Sequence, residues 1–232
     1  MTKIDYMRQL DFFNPNDGWQ PRISIAGCGG IGSFLVEHLA QMGFSDLTVY
    51  DNDKVEPHNL PNQNFDFEHI GMFKVNAANA IVKRKTGNQI KKMPVFITPR
   101  TRLNADIVMV GTDSIESRRS IYTRAVDRGV KWLIDGRLGG ELFQVYVIDL
   151  ESKEDREFYE STLFNPNDAL ELPCTARAVI YIALDITANM IRAVSDIVRD
   201  NEYQRSLAVD RKNGTIKVND TVMLYRGVWK CL

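Results

Sequence analysis

Arg22-Ile23-Ser24-Ile25-Ala26-Gly27-Cys28-Gly29-Gly30-Ile31-Gly32-Ser33 is the stretch on which the fold turns. It opens on a short apolar run of the kind a buried strand shows. A glycine-rich loop follows, and residues 34–42 carry helical spacing, with Leu35, Leu39 and Met42 on one face. Leu47-Thr48-Val49-Tyr50 predicts a second short strand, closed by Asp51. Strand, glycine loop, helix, strand and terminal acid make up the nucleotide-binding unit of a doubly wound α/β sheet. Gly27, Gly29, Gly30 and Gly32 let the backbone turn tightly and approach a phosphate, whose charge the helix N-terminus favours. Asp51 is placed to accept hydrogen bonds from ribose hydroxyls.

The chain around this unit is 232 residues long, enough for one domain with a sizeable core. At 44% apolar and 25% charged its composition is ordinarily globular, and a net charge of −1 gives no argument for nucleic-acid or membrane binding. No stretch approaches a transmembrane span and residues 1–17 lack the apolar core of a signal peptide, so a cytoplasmic location is expected. The three cysteines are too widely spaced for a disulfide framework or a zinc site.

Asp51-Asn52-Asp53-Lys54-Val55-Glu56-Pro57-His58-Asn59-Leu60-Pro61-Asn62-Gln63-Asn64 has neither helical nor strand periodicity. A polar loop of this length inside a compact domain is usually functional or disordered. Glycine loop, Asp-x-Asp-x-Val, Asn-Leu and a following Gln together resemble the ThiF/MoeB/HesA family, bacterial relatives of ubiquitin-activating enzymes. Those proteins adenylate a carboxylate, typically the C-terminal glycine of a small ubiquitin-like or sulfur-carrier protein. The resemblance implies Mg-ATP as co-substrate, with Asp53, Asn59 and Gln63 beside the glycine loop and Asp51 among the ATP contacts. It departs at Asn62, where family members have an arginine on the phosphates, and no Cys-x-x-Cys pair is present for a structural zinc.

Beyond the loop, residues 67–85 predict a helix with Ile70, Phe73, Ala77, Ala80 and Ile81 inward. The segment Ile70-Gly71-Met72-Phe73-Lys74 resembles the family's Gly-x-x-Lys, whose lysine contacts the triphosphate as pyrophosphate leaves. Strands are expected over residues 89–98, 106–113, 130–135 and 141–150, the last antiparallel, with a turn at residues 136–140. Asp113 then stands on the rim beyond the strand ends, where ligands of such sheets bind, and can also cap the helix of residues 114–127. In the family this Thr-Asp pair helps hold the magnesium of Mg-ATP. Ser114 and Arg118 match the residues that follow, and Arg118 joins the ATP contacts.

Residues 1–20 form a lead-in with a short helix around Tyr6-Met7-Arg8-Gln9-Leu10, and residues 151–172 a charged crossover loop or helix. Arg8-Gln9-Leu10 resembles the family's N-terminal Arg-Gln-Ile, whose arginine reaches the ATP phosphates of the partner subunit in a homodimer. Residues 175–198 predict an apolar helix, buried against the sheet or a second subunit. Cys174 lies at its N-terminus, where the helix dipole makes a thiol more reactive. ThiF-like members carry a cysteine in a similar Cys-x-Thr-Ala setting that can be linked to the carrier. Residues 206–219 predict a hairpin, and residues 221–232 an added edge strand.

The sequence therefore implies an α/β, doubly wound, mostly parallel sheet with helices on both faces and antiparallel strands at its C-terminal end. The expected reaction is ATP-dependent adenylation, with Lys74, Asp113, Cys174 and Arg8 carrying it and Asp113 on the metal. Two other readings stand beside it. One is a catalytically weakened ATP-binding partner subunit, suggested by Asn62. The other is an NAD-dependent dehydrogenase, which explains the glycine loop and Asp51 but not Lys74 or Thr112-Asp113. The carboxylate substrate is open between a carrier-protein tail, a peptide and a modified tRNA base; the near-neutral charge speaks against the last.

Overall fold

The computed structural model describes residues 4–163, 179–200, 203–211 and 215–219, and the backbone of 221–224. Among these residues one nine-stranded sheet runs through the molecule in the order β3-β2-β1-β4-β5-β6-β7-β8-β9. Its parallel half comprises β1 (Ile23–Ala26), β2 (Leu47–Tyr50), β3 (Lys91–Met93), β4 (Ile107–Val110) and β5 (Trp132–Gly139). The antiparallel half adds β6 (Leu142–Asp149), β7 (Ser206–Asp210), β8 (Thr215–Val218) and β9 (Thr221–Leu224).

Strand alternation builds two cores. Ile107 and Met109 of β4 point to one face, packed under α1 (Gly32–Met42), α2 (Lys74–Thr86) and α5 (Ile180–Val198). Val108 and Val110 point to the other, under α3 (Ile115–Asp127) and α4 (Lys153–Ser161). β1 and β4 are buried at every position, as strands covered on both faces must be. The helices thus cover both faces, as the sequence implies.

Several boundaries differ from the sequence expectations, each for a local reason. Residues 67–85 do not form one helix. A 3-10 turn at Phe67–His69 is cut from α2 by Gly71, whose φ of 86° lies in the left-handed region, and by a bridge between Lys54 and Phe73. Phe73 is consequently exposed rather than inward, and Lys74 becomes the first residue of α2. The strand expected over 89–98 shrinks to the exposed edge β3, which stops at Met93, before Pro94. β5 runs straight through the expected turn at 136–140, and the chain reverses only at Gly140, where φ is 63°. Around Arg8 the chain makes turns between Met7 and Phe12 instead of a helix. The charged segment after β6 contains the helix α4, whose Tyr159 is fully buried. Ser114, not Asp113, caps α3: its hydroxyl accepts from the Ser117 amide at 3.1 Å.

No helix among the described residues is long and apolar enough to cross a membrane.

A candidate nucleotide site at the switch point of the sheet

In the strand order β3-β2-β1-β4-β5 the connections reverse direction between β1 and β4, and the crevice beyond their C-terminal ends is where such sheets take ligands. Parallel register aligns the ends: Ala26 lies opposite both Tyr50 and Val110. Gly27, Asp51 and Gly111 therefore leave the rim together. The Gly27 amide donates to Tyr50 O and the Gly111 amide to Ala26 O, each at 2.9 Å.

The glycine loop is shaped by what surrounds it. Gly27 has φ +90°, and a Cβ there would stand 2.9 Å from the Gly111 carbonyl oxygen; at Gly32 a Cβ would overlap the Gly27 carbonyl. These two glycines are required by close approach. Gly29 differs, because a Cβ added there would meet only open space. Its lack of a side chain leaves room above the loop rather than allowing the chain to fold.

Around that space the loop of residues 51–64 is tied down residue by residue. Asp51 is buried, and its two oxygens accept from the Cys28 amide at 2.7 Å and the Asp53 amide at 2.8 Å. Burial pushes its carboxyl above the usual carboxylate range, against the pull of those two amides and of Lys74. Lys74 is also buried, and its Nζ pairs with Asp53 Oδ2 at 2.9 Å. Asn59 accepts from the Glu56 amide at 2.9 Å, and the Gln63 amide donates to Asn59 O at 2.9 Å. Burial first, and then the charge of Asp51, drive the Cys28 thiol far up, so it is an inert filler of its slot.

Three side-chain atoms here are buried without a hydrogen-bond partner among the described residues: Asn62 Oδ1, Gln63 Oε1 and Thr112 Oγ1. Buried polar atoms are normally paired. Asn62 and Thr112 both adjoin the glycine loop. Asn62 O stands 3.5 Å from where a Gly30 Cβ would be, and Thr112 Cγ2 stands 3.3 Å from that of Gly27. A polar ligand in the crevice would supply the missing partners. Asp113, one residue further, is exposed and has no hydrogen bond or ion pair among the described residues. With Ser114 capping α3, its carboxylate is left uncommitted.

The ThiF family model matches residues 17–214. The chain belongs to the ThiF family. The adenylyltransferase and sulfurtransferase UBA4 of Eremothecium gossypii is 31% identical over 138 residues, covering 57% of this chain and 31% of that protein. The NEDD8-activating enzyme E1 catalytic subunit of Arabidopsis thaliana is 36% identical over 107 residues, covering 43% of this chain and 23% of that protein. The chain thus spans less than a third of the length of these curated relatives. Among solved structures, PaaA superposes with a TM-score of 0.71 at 18% identity, over 88% of this chain and 65% of that one. E. coli MccB with ATP gives 0.67 at 18% identity, over 85% and 63%. Likeness at that identity shows the fold.

Within this ThiF fold, two expected site residues are not free in the crevice, and a third, Cys174, lies outside the described residues. Arg8 is exposed on a segment that Gln9 fastens to Met42 O at 3.1 Å, at the far end of α1. An eleven-residue helix separates that point from the glycine loop by roughly 16 Å. Arg118 is buried and fully engaged, with an ion pair to Asp135 and bonds to Thr112 O and Gly136 O.

Asp135 and Arg137, which join Arg118 in one buried cluster, were not singled out by the sequence reading. The available signal was an acid closing the apolar run Trp132-Leu133-Ile134, the same pattern that marks Asp51.

A cavity of about 350 Å³ opens elsewhere, lined by Phe158, Tyr203, Arg205, Ser206 and Asn219. Its arginine is already neutralised by Glu154 at 2.9 Å and Asp155 at 3.1 Å, so it offers a nucleotide no free charge.

Proposed function

We propose that this protein uses ATP to adenylate a carboxylate, that of the C-terminal glycine of a small ubiquitin-like or sulfur-carrier protein. The observation that carries the reading is a buried lysine tied to a glycine loop whose Gly29 faces open space. Lys74 Nζ, held by Asp53 at 2.9 Å, belongs to the same hydrogen-bonded loop as Asp51 and the glycine loop. A buried ammonium with one exposed carboxylate partner can exchange that partner for a phosphate at little cost in reorganisation.

In the proposed step a carboxylate oxygen attacks the α-phosphorus in line. The new O–P bond forms as the bond to the bridging oxygen breaks, and pyrophosphate leaves with that electron pair. Lys74 opposes the charge that develops on the leaving group. Asp51 keeps unused lone pairs on both oxygens to accept from the ribose. Asp113 is a hard, uncommitted carboxylate suited to the magnesium of Mg-ATP, which would supply charge neutralisation on the phosphates. The names of the matched relatives, an adenylyltransferase and a NEDD8-activating subunit, support the substrate class. A homodimer in the cytoplasm completes the reading.

The orphaned Asn62 and the engaged Arg118 favour one alternative, a subunit that binds ATP without turning it over. Carrier-dependent exchange of labelled pyrophosphate into ATP distinguishes the two. Exchange supports adenylation; ATP binding with no exchange across a panel of carriers ending in Gly-Gly would establish the binding subunit instead.

A further inference from the structure

β4 and β5 run parallel and in register as far as Val110 and Asp135. One residue later they part, β4 into Gly111-Thr112-Asp113 and β5 onward along β6. Arg118, in the first turn of α3, sits in this fork. Its guanidinium donates to Thr112 O on one branch and to Gly136 O at 3.1 Å on the other, and pairs with Asp135 at the base.

Asp135 is completely buried and is held in turn. Its other oxygen accepts from Arg137 Nε at 2.7 Å and from the Tyr159 hydroxyl at 3.1 Å. Arg137 is itself fixed, by bonds to Thr162 O at 3.0 Å and Thr162 Oγ1 at 2.9 Å, and by stacking on Tyr146 at 4.5 Å. From the opposite face of the sheet α5 closes on Gly136, where any Cβ would press on Met190 and Ile186.

We propose that Asp135 is a positioning residue for the nucleotide site. It holds Arg118 on the Thr112 carbonyl, and so fixes the turn that carries Thr112 and Asp113 past the rim. The inference rests on the adenylation reading above. Stability alone does not account for the cluster, because a buried ion pair is commonly no more stabilising than apolar residues of the same volume. Two guanidinium groups against one carboxylate also leave a surplus positive charge largely out of water, which costs desolvation. Direction is what the cluster supplies. A planar guanidinium fixes several acceptors at once, which neither lysine nor an apolar side chain does. The surplus charge adjoins the crevice where a triphosphate would lie, and there it acts without reorganisation.

The test is a double-mutant cycle read as the affinity for ATP with magnesium by calorimetry, on wild type, Asp113→Ala, Asp135→Asn and the double variant. Asp135→Asn is expected to weaken binding about tenfold, and to add less than about twofold once Asp113 is already alanine. Losses that multiply would overturn the positioning role, since Asp135 would then act independently of Asp113. Should Asp135→Asn fail to fold, Arg137→Lys keeps the charge but loses the fork, and the same cycle with Asp113→Ala applies. A merely structural role would lower the melting temperature of Arg137→Lys and leave its ATP affinity at the wild-type value, which also overturns the proposal. Wild type that binds no ATP would sink the adenylation reading itself. Wild type that binds, with multiplying losses, would sink only this inference.

Discussion

Lys74, tied to Asp53 beyond β2, and Asp113, beyond β4, stand in opposite electrostatic states. Lys74 is buried and paired, so it is held in place before any ligand arrives. Asp113 is exposed and unspent among the described residues. Substituting either by alanine should lower pyrophosphate exchange by about 10²–10³-fold, the usual worth of one contact to developing charge. Cys174→Ala should leave that exchange within about twofold of wild type, because thiol chemistry would follow adenylation and no phosphate contact is lost. Exchange assays on purified variants of unchanged circular dichroism decide both. Lys74 and Asp113 stand out in the sequence because each sits in a local pattern: an acid after an apolar strand, a lysine after Gly-x-x. Asp135 and Arg137 do not. In sequence they look like the polar start of a glycine turn, and only β6, α4 and α5 closing over them make a buried cluster.

At the scale of elements, the glycine loop separates two demands that the sequence pattern merges. Gly32 serves folding, since a methyl there overlaps the Gly27 carbonyl, whereas Gly29 faces open space. Gly32→Ala should therefore destabilise by about 3 kcal/mol or more. Gly29→Ala should change stability by less than about 0.5 kcal/mol while weakening ATP binding, because its methyl enters the ligand's room. Urea unfolding with calorimetry on the two variants checks the contrast, and equal effects on stability would refute it. The strand entrances hold a second test. Arg22 and Asp106 tie β1 to β4, Asp106 Oδ2 accepting from the Arg22 amide at 2.8 Å and from its Nε at 3.0 Å. The Arg22 hydrogen bonds hold the Asp106 carboxyl below its usual range. A carboxyl whose folded pKa is depressed gives stability that is present above its unfolded pKa and lost as pH falls through the folded one. The pair is largely solvated, so Asp106→Asn should cost about 0.2–1 kcal/mol at pH 7, and the difference from wild type should close as pH falls below the ordinary carboxylate range. Elements whose ends depend on distant partners were the ones the sequence misplaced. β5 passes through a glycine-rich stretch because β6 pairs with all eight of its residues, from Trp132 with Asp149 to Gly139 with Leu142. No local pattern between 136 and 140 carries that information.

At the scale of the molecule, the two halves of the sheet divide the work. The parallel half builds the crevice, and the antiparallel half with α5 extends beyond it. α5 shows apolar side chains outward at its start, with Ile180 45%, Tyr181 47% and Leu184 43% exposed. Arg8 is exposed at the end of α1 far from its own glycine loop. A twofold dimer, as proposed, would account for both, by covering the helix and by carrying Arg8 to the partner's phosphates. Light scattering at micromolar concentration should then give twice the 26.5 kDa chain mass, for wild type and for Arg8→Ala alike. Complementation tests the reach of Arg8 itself. An Arg8→Ala subunit keeps a sound pocket but donates no arginine, and a Lys74→Ala subunit donates the arginine but has a crippled pocket. If Arg8 serves the partner's site, a heterodimer of the two holds one complete site. Random mixing of equal amounts makes about half of the dimers heterodimers, so exchange should recover to about a quarter of wild type while each homodimer alone stays low. If Arg8 serves its own subunit, every site in the mixture lacks either the arginine or the lysine, and no recovery occurs. A monomer mass with full exchange activity would remove the dimer from the mechanism altogether.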